Sequence, residues 1–368
     1  LTKRYAAVAI TRNGIQLARQ LGERLAGTDV YGYAKYSEGL VESEGQYLFA
    51  EPVKELLPSL FSRYEGVILF FSLGAVVRLI APLLQDKKTD PAVIAIDERG
   101  EHVISVLSGH LGGANALCLT IAKLLCSHPV ITTASDVQGT FAVDLLGQAF
   151  AWRADSFDNM KSVSAALVNG EPVAVLQECG ERGWLPVGAT LPEHVCLCSS
   201  VAELLESPFS AAIIVTDRLL EAPEESTLLS RSVLYRPRSL VLGLGCNRGT
   251  SEAELEAVVR DTLNELKLSL ASVRNIATAQ IKGDEAGLLT LCSKYGWELA
   301  LYTPEQLNTI PIANPSDTVF RATGAYGVCE PAALLSSGAA DWLLRKKKSG
   351  NVTIAVARVL FDGVEESL

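Results

Sequence analysis

Nine residues, Leu107-Ser108-Gly109-His110-Leu111-Gly112-Gly113-Ala114-Asn115, set a hydroxyl, an imidazole and three glycines between a β-branched apolar run and an apolar helical pattern. An imidazole exchanges protons near neutral pH more readily than any other side chain, so His110 is the candidate general acid or base. Ser108 can serve as a nucleophile, a hydrogen-bond donor or a turn hydroxyl. Gly109, Gly112 and Gly113 allow backbone N–H groups to approach a ligand, and the helix that follows favours developing negative charge at its N-terminus. The same residues would also build a tight strand-to-helix turn with His110 packed against it. Asp97, Asp90 and Asp136 lie at strand ends or in loops, where a carboxylate can orient His110, activate a water or cap a turn. The other histidines have sufficient structural explanations: His102 falls on a strand, His128 precedes Pro129, and His194 sits in a proline-flanked loop.

Cations that could meet an anionic ligand are Arg78, Lys87, Lys88 and Arg99, but Asp86, Asp90, Asp97 and Glu98 balance them in the same stretch. A second glycine loop, Gly243-x-Gly245-x-x-x-Gly249, is one residue too long for a dinucleotide fingerprint. Ser251 and Glu254 after it form a capping-box pattern. Arg248 and the N–H groups of that helix start could hold a carboxylate; a well-capped helix explains them equally. The chain has no G-x-S-x-G elbow, no phosphate-binding G-x-x-x-x-G-K-[ST] loop and no H-E-x-x-H zinc helix.

These residues need a scaffold, and 368 residues with 48% hydrophobic content suffice for two or three domains. A net charge of −10 opposes nucleic acid and anionic membrane surfaces, so any anionic ligand must rely on local cations. The eight cysteines are scattered without a C-x-x-C pair, which suits reduced thiols in the cytoplasm. Gly66 to Leu84 approaches the length of a membrane span, but Arg78, Gly74 and Pro82 interrupt it, and no secretory leader is expected.

Strand and helix patterns alternate from the start: strands at Tyr5–Ile10, Val30–Tyr33, Val67–Phe71, Val93–Asp97, Val103–Leu107 and Val130–Thr132, with helices at Gly14–Leu25, Val53–Ser62, from Gly74, and up to Leu125. The turn Glu98-Arg99-Gly100 predicts a hairpin. Such alternation implies an α/β fold with a largely parallel sheet and ligands at the carboxyl ends of its strands. Ser72, Asp97, Ser108 and Thr133 all follow strands and are expected on one rim. This N-terminal α/β domain is expected to span residues 1–150. A small α/β middle segment occupies 151–235, with strands Val173–Leu176 and Ala212–Val215, and the polar stretch Glu221–Arg238 has linker composition. A C-terminal α/β domain covers 236–368, opening on the strand Ser239–Leu244. Arg345–Lys348 is expected as a solvated turn before the strand Val352–Ala357.

Several segments together resemble the cobalt-precorrin 5A hydrolases, the CbiG-type proteins of anaerobic cobalamin biosynthesis. They are Gly74–Leu84, Asp86–Val93, the Ser108 loop, Val130–Asp136, Gly243–Thr250, Ala277–Leu288 and Ala322–Pro331, spread over about nine tenths of the chain. Asn247 stands where relatives are expected to carry a second basic residue. The resemblance implies an enzyme that opens the δ-lactone of a cobalt-containing, carboxylate-rimmed tetrapyrrole and releases acetaldehyde. It implies a cytoplasmic protein with no cofactor beyond the cobalt carried by its substrate, and other enzymes of the pathway as partners. Catalysis would fall to His110, Ser108, Asp97 and Asp136, with the Gly109–Gly113 amides at the oxyanion. Substrate binding would fall to Gly74, Arg78, Lys87, Lys88, Gly109, Gly112, Gly113, Asn115, Thr133, Arg248, Lys282 and Glu330. The alternatives are a non-catalytic tetrapyrrole-binding or handover protein, and a nucleotide-dependent enzyme using the Gly243 loop.

Overall fold

The structure, a computed structural model, describes residues 4–37, 42–86, 89–185, 190–220 and 227–361. The chain forms two compact units, Leu1–Leu145 and Leu146–Leu368. The first holds a seven-stranded sheet in the order β3-β2-β1-β4-β5-β6-β7. Its strands are β1 (Tyr5–Ala9), β2 (Thr28–Tyr33), β3 (Gln46–Phe49), β4 (Gly66–Phe70), β5 (Ala92–Ile96), β6 (His102–Leu107) and β7 (His128–Val130). Alternate residues serve opposite faces. Ala7, Ala9, Ile68, Phe70 and Ile94 pack against the helices Arg12–Arg24 and Ala114–Leu125, whereas Ala6, Val8, Val67, Leu69 and Val93 pack against Val53–Arg63 and Leu73–Ile80. A sheet covered on both faces must bury both sides of its strands, which is why β4 and β5 are buried at every position.

The hairpin expected at Glu98-Arg99-Gly100 forms, and it reverses the sheet. β1 to β5 run parallel, β5 and β6 run antiparallel with Val93 opposite Leu107, and β7 runs parallel to β6. Asp97 builds the turn by accepting from the backbone N–H groups of Arg99 and Glu101 at 2.9 and 3.3 Å, while Gly100 takes the left-handed φ of +69°. The expectation of a single rim therefore fails. Ser108 and Thr133 leave β6 and β7 at the end of the sheet where β5 begins, opposite the end where Ser72 and Asp97 lie.

The second unit contains two five-stranded sheets. The first has the order β10-β9-β11-β12-β8, from β8 (Arg153–Ala154), β9 (Val173–Gln177), β10 (Val195–Cys198), β11 (Ala211–Val215) and β12 (Ser232–Arg236). The other has the order β15-β14-β13-β17-β16, from β13 (Leu240–Cys246), β14 (Val273–Ala279), β15 (Glu298–Tyr302), β16 (Leu344–Ser349) and β17 (Val352–Arg358). Asp217, buried, joins them: it takes both Nε and Nη2 of Arg358 at 2.8 Å and the Ser239 hydroxyl at 2.7 Å.

Two sequence expectations are corrected here. Ser232–Arg236, inside the expected linker, is a strand buried at every position. Its Arg236 escapes burial cost because Asp155 and the carbonyls of Thr216 and Arg218 take its donors. Arg345–Lys348, expected as a turn, belongs to the edge strand β16, a place where lysines discourage pairing with another chain.

Candidate active site

The loop after β6 is shaped by close approach more than by exposure. Ser108 adopts φ +58°, and its hydroxyl donates to the Asp90 carbonyl at 2.9 Å, tying the loop to the segment that enters β5. A Cβ on Gly112 would come within 2.3 Å of the Ser108 Cβ, and one on Gly109 within 2.9 Å of the Asn115 Oδ1. Gly113 has φ +80° at the N-cap of the helix Ala114–Leu125. Its N–H donates to the His110 carbonyl at 2.8 Å, so among the loop amides it is already engaged.

The turn presents His110 to two carboxylates. Nε2 lies 3.0 Å from Asp136 Oδ2, and Nδ1 lies 3.0 Å from Asp144 Oδ1. The Ser135 hydroxyl is 3.1 Å from the same Nε2. Asp136 and Ser135 belong to the helix Ala134–Gln138, which follows β7, and Asp144 to the 3-10 turn Val143–Leu145. Asn115, buried in the first turn of its helix, holds the group together. Its Nδ2 donates to Asp136 Oδ2 at 3.0 Å and to the Thr133 hydroxyl at 2.8 Å, and its Oδ1 accepts from Ser105 at 2.7 Å. The hydrogen bond to Asp144, working against partial burial and aided by Asp136, raises the His110 pKa above its ordinary value. A charged imidazole between two carboxylates can deliver a proton and recover it without a large rearrangement.

His110, Asp136, Asn115 and Thr133 thus meet in one network, with Ser108, Gly109, Gly112 and Gly113 forming the loop beneath it. Ser108 is turned toward Asp90. Asp97 stands at the opposite end of the sheet, where the His102, Arg99 and Glu101 N–H groups outweigh burial and hold its carboxyl below the usual range. Gly74 and Arg78 are exposed on the helix Leu73–Ile80, which starts after β4 at the end of the sheet that holds Asp97. Lys87 and Lys88 lie outside the described residues. Ser105, Ser135 and Asp144 are absent from the sequence-based set. Ser135 adjoins Asp136 after a strand, a usable signal, whereas Asp144 in Phe141-Ala142-Val143-Asp144-Leu145 carries none.

Arg248, Lys282 and Glu330 belong to the second unit, where they line a cavity of about 620 Å³. Arg248 is exposed and paired with Asp284 at 2.5 Å and Glu285 at 3.0 Å; Lys282 also binds Glu285, at 3.1 Å. Glu285 further accepts the Gly249 N–H at 3.1 Å, so this glycine loop is closed on a carboxylate of its own chain. Glu330, only 7% exposed, lines the cavity with Lys346 and Lys348; none of the three forms a side-chain ion pair among the described residues.

Comparison with known proteins matches most of the chain, between residues 55 and 357, in three parts. The family described as Cobalamin synthesis G N-terminal matches residues 55–136, Cobalamin biosynthesis central region matches 141–237, and Cobalamin synthesis G C-terminus matches 240–357. A cobalt-precorrin-5A hydrolase of Priestia megaterium is 53% identical across 97% of this chain and 96% of its own. The cobalt-precorrin-5A hydrolase of Salmonella typhimurium is 32% identical across 96% of this chain and 97% of its own. Among solved structures, CobE, a protein from the cobalamin biosynthetic pathway, is 33% identical over 34% of this chain and 94% of its own, with a TM-score of 0.32.

Proposed function

The chain belongs to the CbiG family of cobalt-precorrin-5A hydrolases, and from that premise we propose that the His110 network performs the proton transfers of the reaction. The enzyme hydrolyses cobalt-precorrin 5A to cobalt-precorrin 5B in cobalamin biosynthesis. In our reading it opens the δ-lactone and releases the two-carbon fragment as acetaldehyde. Lactone hydrolysis needs an activated water, stabilisation of the oxyanion and a proton for the departing alkoxide. The observation that carries the assignment is the imidazole of His110, fixed by carboxylates at 3.0 Å on both nitrogens. Once the ring is open, the freed hydroxyl can lose a proton to the same network and drive carbon–carbon cleavage in a retro-aldol step. Cobalt enters with the substrate, and the protein works in the cytoplasm alongside other enzymes of the pathway. Incubating the full chain with cobalt-precorrin 5A should release one acetaldehyde per cobalt-precorrin 5B formed. Product without acetaldehyde would refute the chemistry.

A second reading, that the protein holds or hands over a tetrapyrrole without converting it, draws support from the C-terminal cavity. Glu330, Lys346 and Lys348, which form no side-chain ion pair among the described residues, suit binding better than proton transfer. That reading predicts tight binding with no acetaldehyde from the wild-type chain.

A further inference from the structure

We propose that proton flow in this site starts at Asp136 as the base and ends at His110 as the acid, with Asp144 the positioning residue that keeps the imidazole charged. The proposal rests on the lactone-hydrolase reading above. It follows from counting donors and acceptors. Each ring nitrogen of His110 faces a carboxylate oxygen at 3.0 Å, an arrangement that an imidazolium satisfies on both sides, with the Ser135 hydroxyl at 3.1 Å from Nε2 free to turn and accept; a neutral ring would set a lone pair against one carboxylate. An imidazolium has no lone pair left to take a proton from water. Asp136 has one. Its Oδ2 is occupied by His110 and Asn115, whereas Oδ1 makes no hydrogen bond among the described residues, and at 39% side-chain exposure it is the most open of the three groups.

The resulting cycle balances. A water oxygen attacks the lactone carbonyl as its proton passes to Asp136, and collapse of the tetrahedral intermediate breaks the acyl C–O bond. Asp136, now neutral, no longer competes for the Nε2–H, which goes to the alkoxide. The proton held on Asp136 Oδ1, which faces away from the ring contact, then leaves to solvent, and Nε2 regains one from solvent, which restores the starting charges. Asp144 remains an anion throughout and never meets substrate. The titratable groups facing His110 are Asp136 from the helix Ala134–Gln138 and Asp144 from the turn Val143–Leu145; the helix Ala114–Leu125 contributes the neutral Asn115. Asp144 lies outside the segment 55–136 matched by the N-terminal family and inside the compact unit that ends at Leu145.

The sign of the pH dependence decides the matter. With His110 as acid, turnover falls as pH rises through the His110 titration; with His110 as base it rises. The test records kcat for acetaldehyde release against pH, beside imidazole 15N shifts of the full-length chain, for wild type, Asp144→Asn and Asp144→Glu. Asp144→Asn should lower the pH at which His110 titrates and move the alkaline limb of kcat down with it, by about one pH unit. Asp144→Glu should restore both. A wild-type turnover that rises through the His110 titration overturns the proposal, even if Asp144→Asn fails to fold. So does an Asp144→Asn that loses activity equally at every pH with the imidazole signal unmoved, since that is a structural role. Absence of acetaldehyde from wild type at all pH values would instead sink the hydrolase reading, so the two failures are distinct.

Discussion

The surroundings of His110 and the rim of the C-terminal cavity differ in how they treat charge. Around His110, both carboxylates contact the imidazole at 3.0 Å, and Asn115 fixes one of them. Around the cavity, Glu330, Lys346 and Lys348 have no side-chain ion-pair partner among the described residues. Groups already paired with each other gain little by seizing a ligand, but they shift one another's pKa values and relay protons. Groups left unpaired beside an open volume do the reverse. The difference separates a region built to transform from one built to hold, and variants in each should fail in different kinetic constants.

The largest effect is expected at His110. His110→Asn keeps polarity and much of the shape, and should reduce kcat by roughly 100-fold or more while KM changes little. Steady-state acetaldehyde assays measure it, and a rise in KM with kcat preserved would merge the two regions into one binding function. Next in size, Lys346→Gln combined with Lys348→Gln should raise KM roughly tenfold with kcat intact, the pattern of lost ground-state binding. Arg248→Ala should leave binding nearly unchanged, because Arg248 is exposed and already paired with Asp284; titration with a stable tetrapyrrole polycarboxylate such as uroporphyrin reads it. Asp97→Asn sharpens the comparison from the far end of the first sheet: kcat should stay within about twofold, while the melting temperature falls because a turn loses its carboxylate.

A smaller, pH-linked effect follows from the raised His110 pKa. The charged imidazole stabilises the fold fully below its unfolded pKa of about 6.5, and that contribution is lost as pH rises through the folded value. The stability gap between wild type and His110→Asn, followed by urea unfolding, should therefore narrow on going from pH 6 to alkaline solution. A gap that widens would mean that His110 is folded as the neutral ring.

Much of this was legible beforehand, and the lapses have physical causes. Strand-like apolar runs between helical patterns located six of the seven strands of the first sheet to within a few residues; β3 was missed because Gln46-Tyr47-Leu48-Phe49 is short and only partly buried. The hairpin after Asp97 was visible in Glu98-Arg99-Gly100, yet its consequence, reversal of every later strand end, depends on strand pairing. Asp97 and Ser108 were thereby placed on one rim when they lie at opposite ends. β12 was hidden by Arg236, whose buried charge is offset by partners 18 to 81 residues away. Asp144 could not be found because only folding brings it to Nδ1. Asp136 was named as a strand-end carboxylate that could orient His110, and Asn115 as a substrate-binding residue in the segment that resembles the family; the fold brings both into the His110 network.

The claim that transformation and holding reside in separate regions is tested most directly by single-turnover acetaldehyde release at saturating cobalt-precorrin 5A, comparing His110→Asn with the Lys346→Gln, Lys348→Gln double variant, each confirmed folded by its melting curve. The account predicts a loss of roughly 100-fold in the first and a wild-type rate in the second. Near-normal release by folded His110→Asn, or a collapse of the rate in the lysine variant, would contradict it.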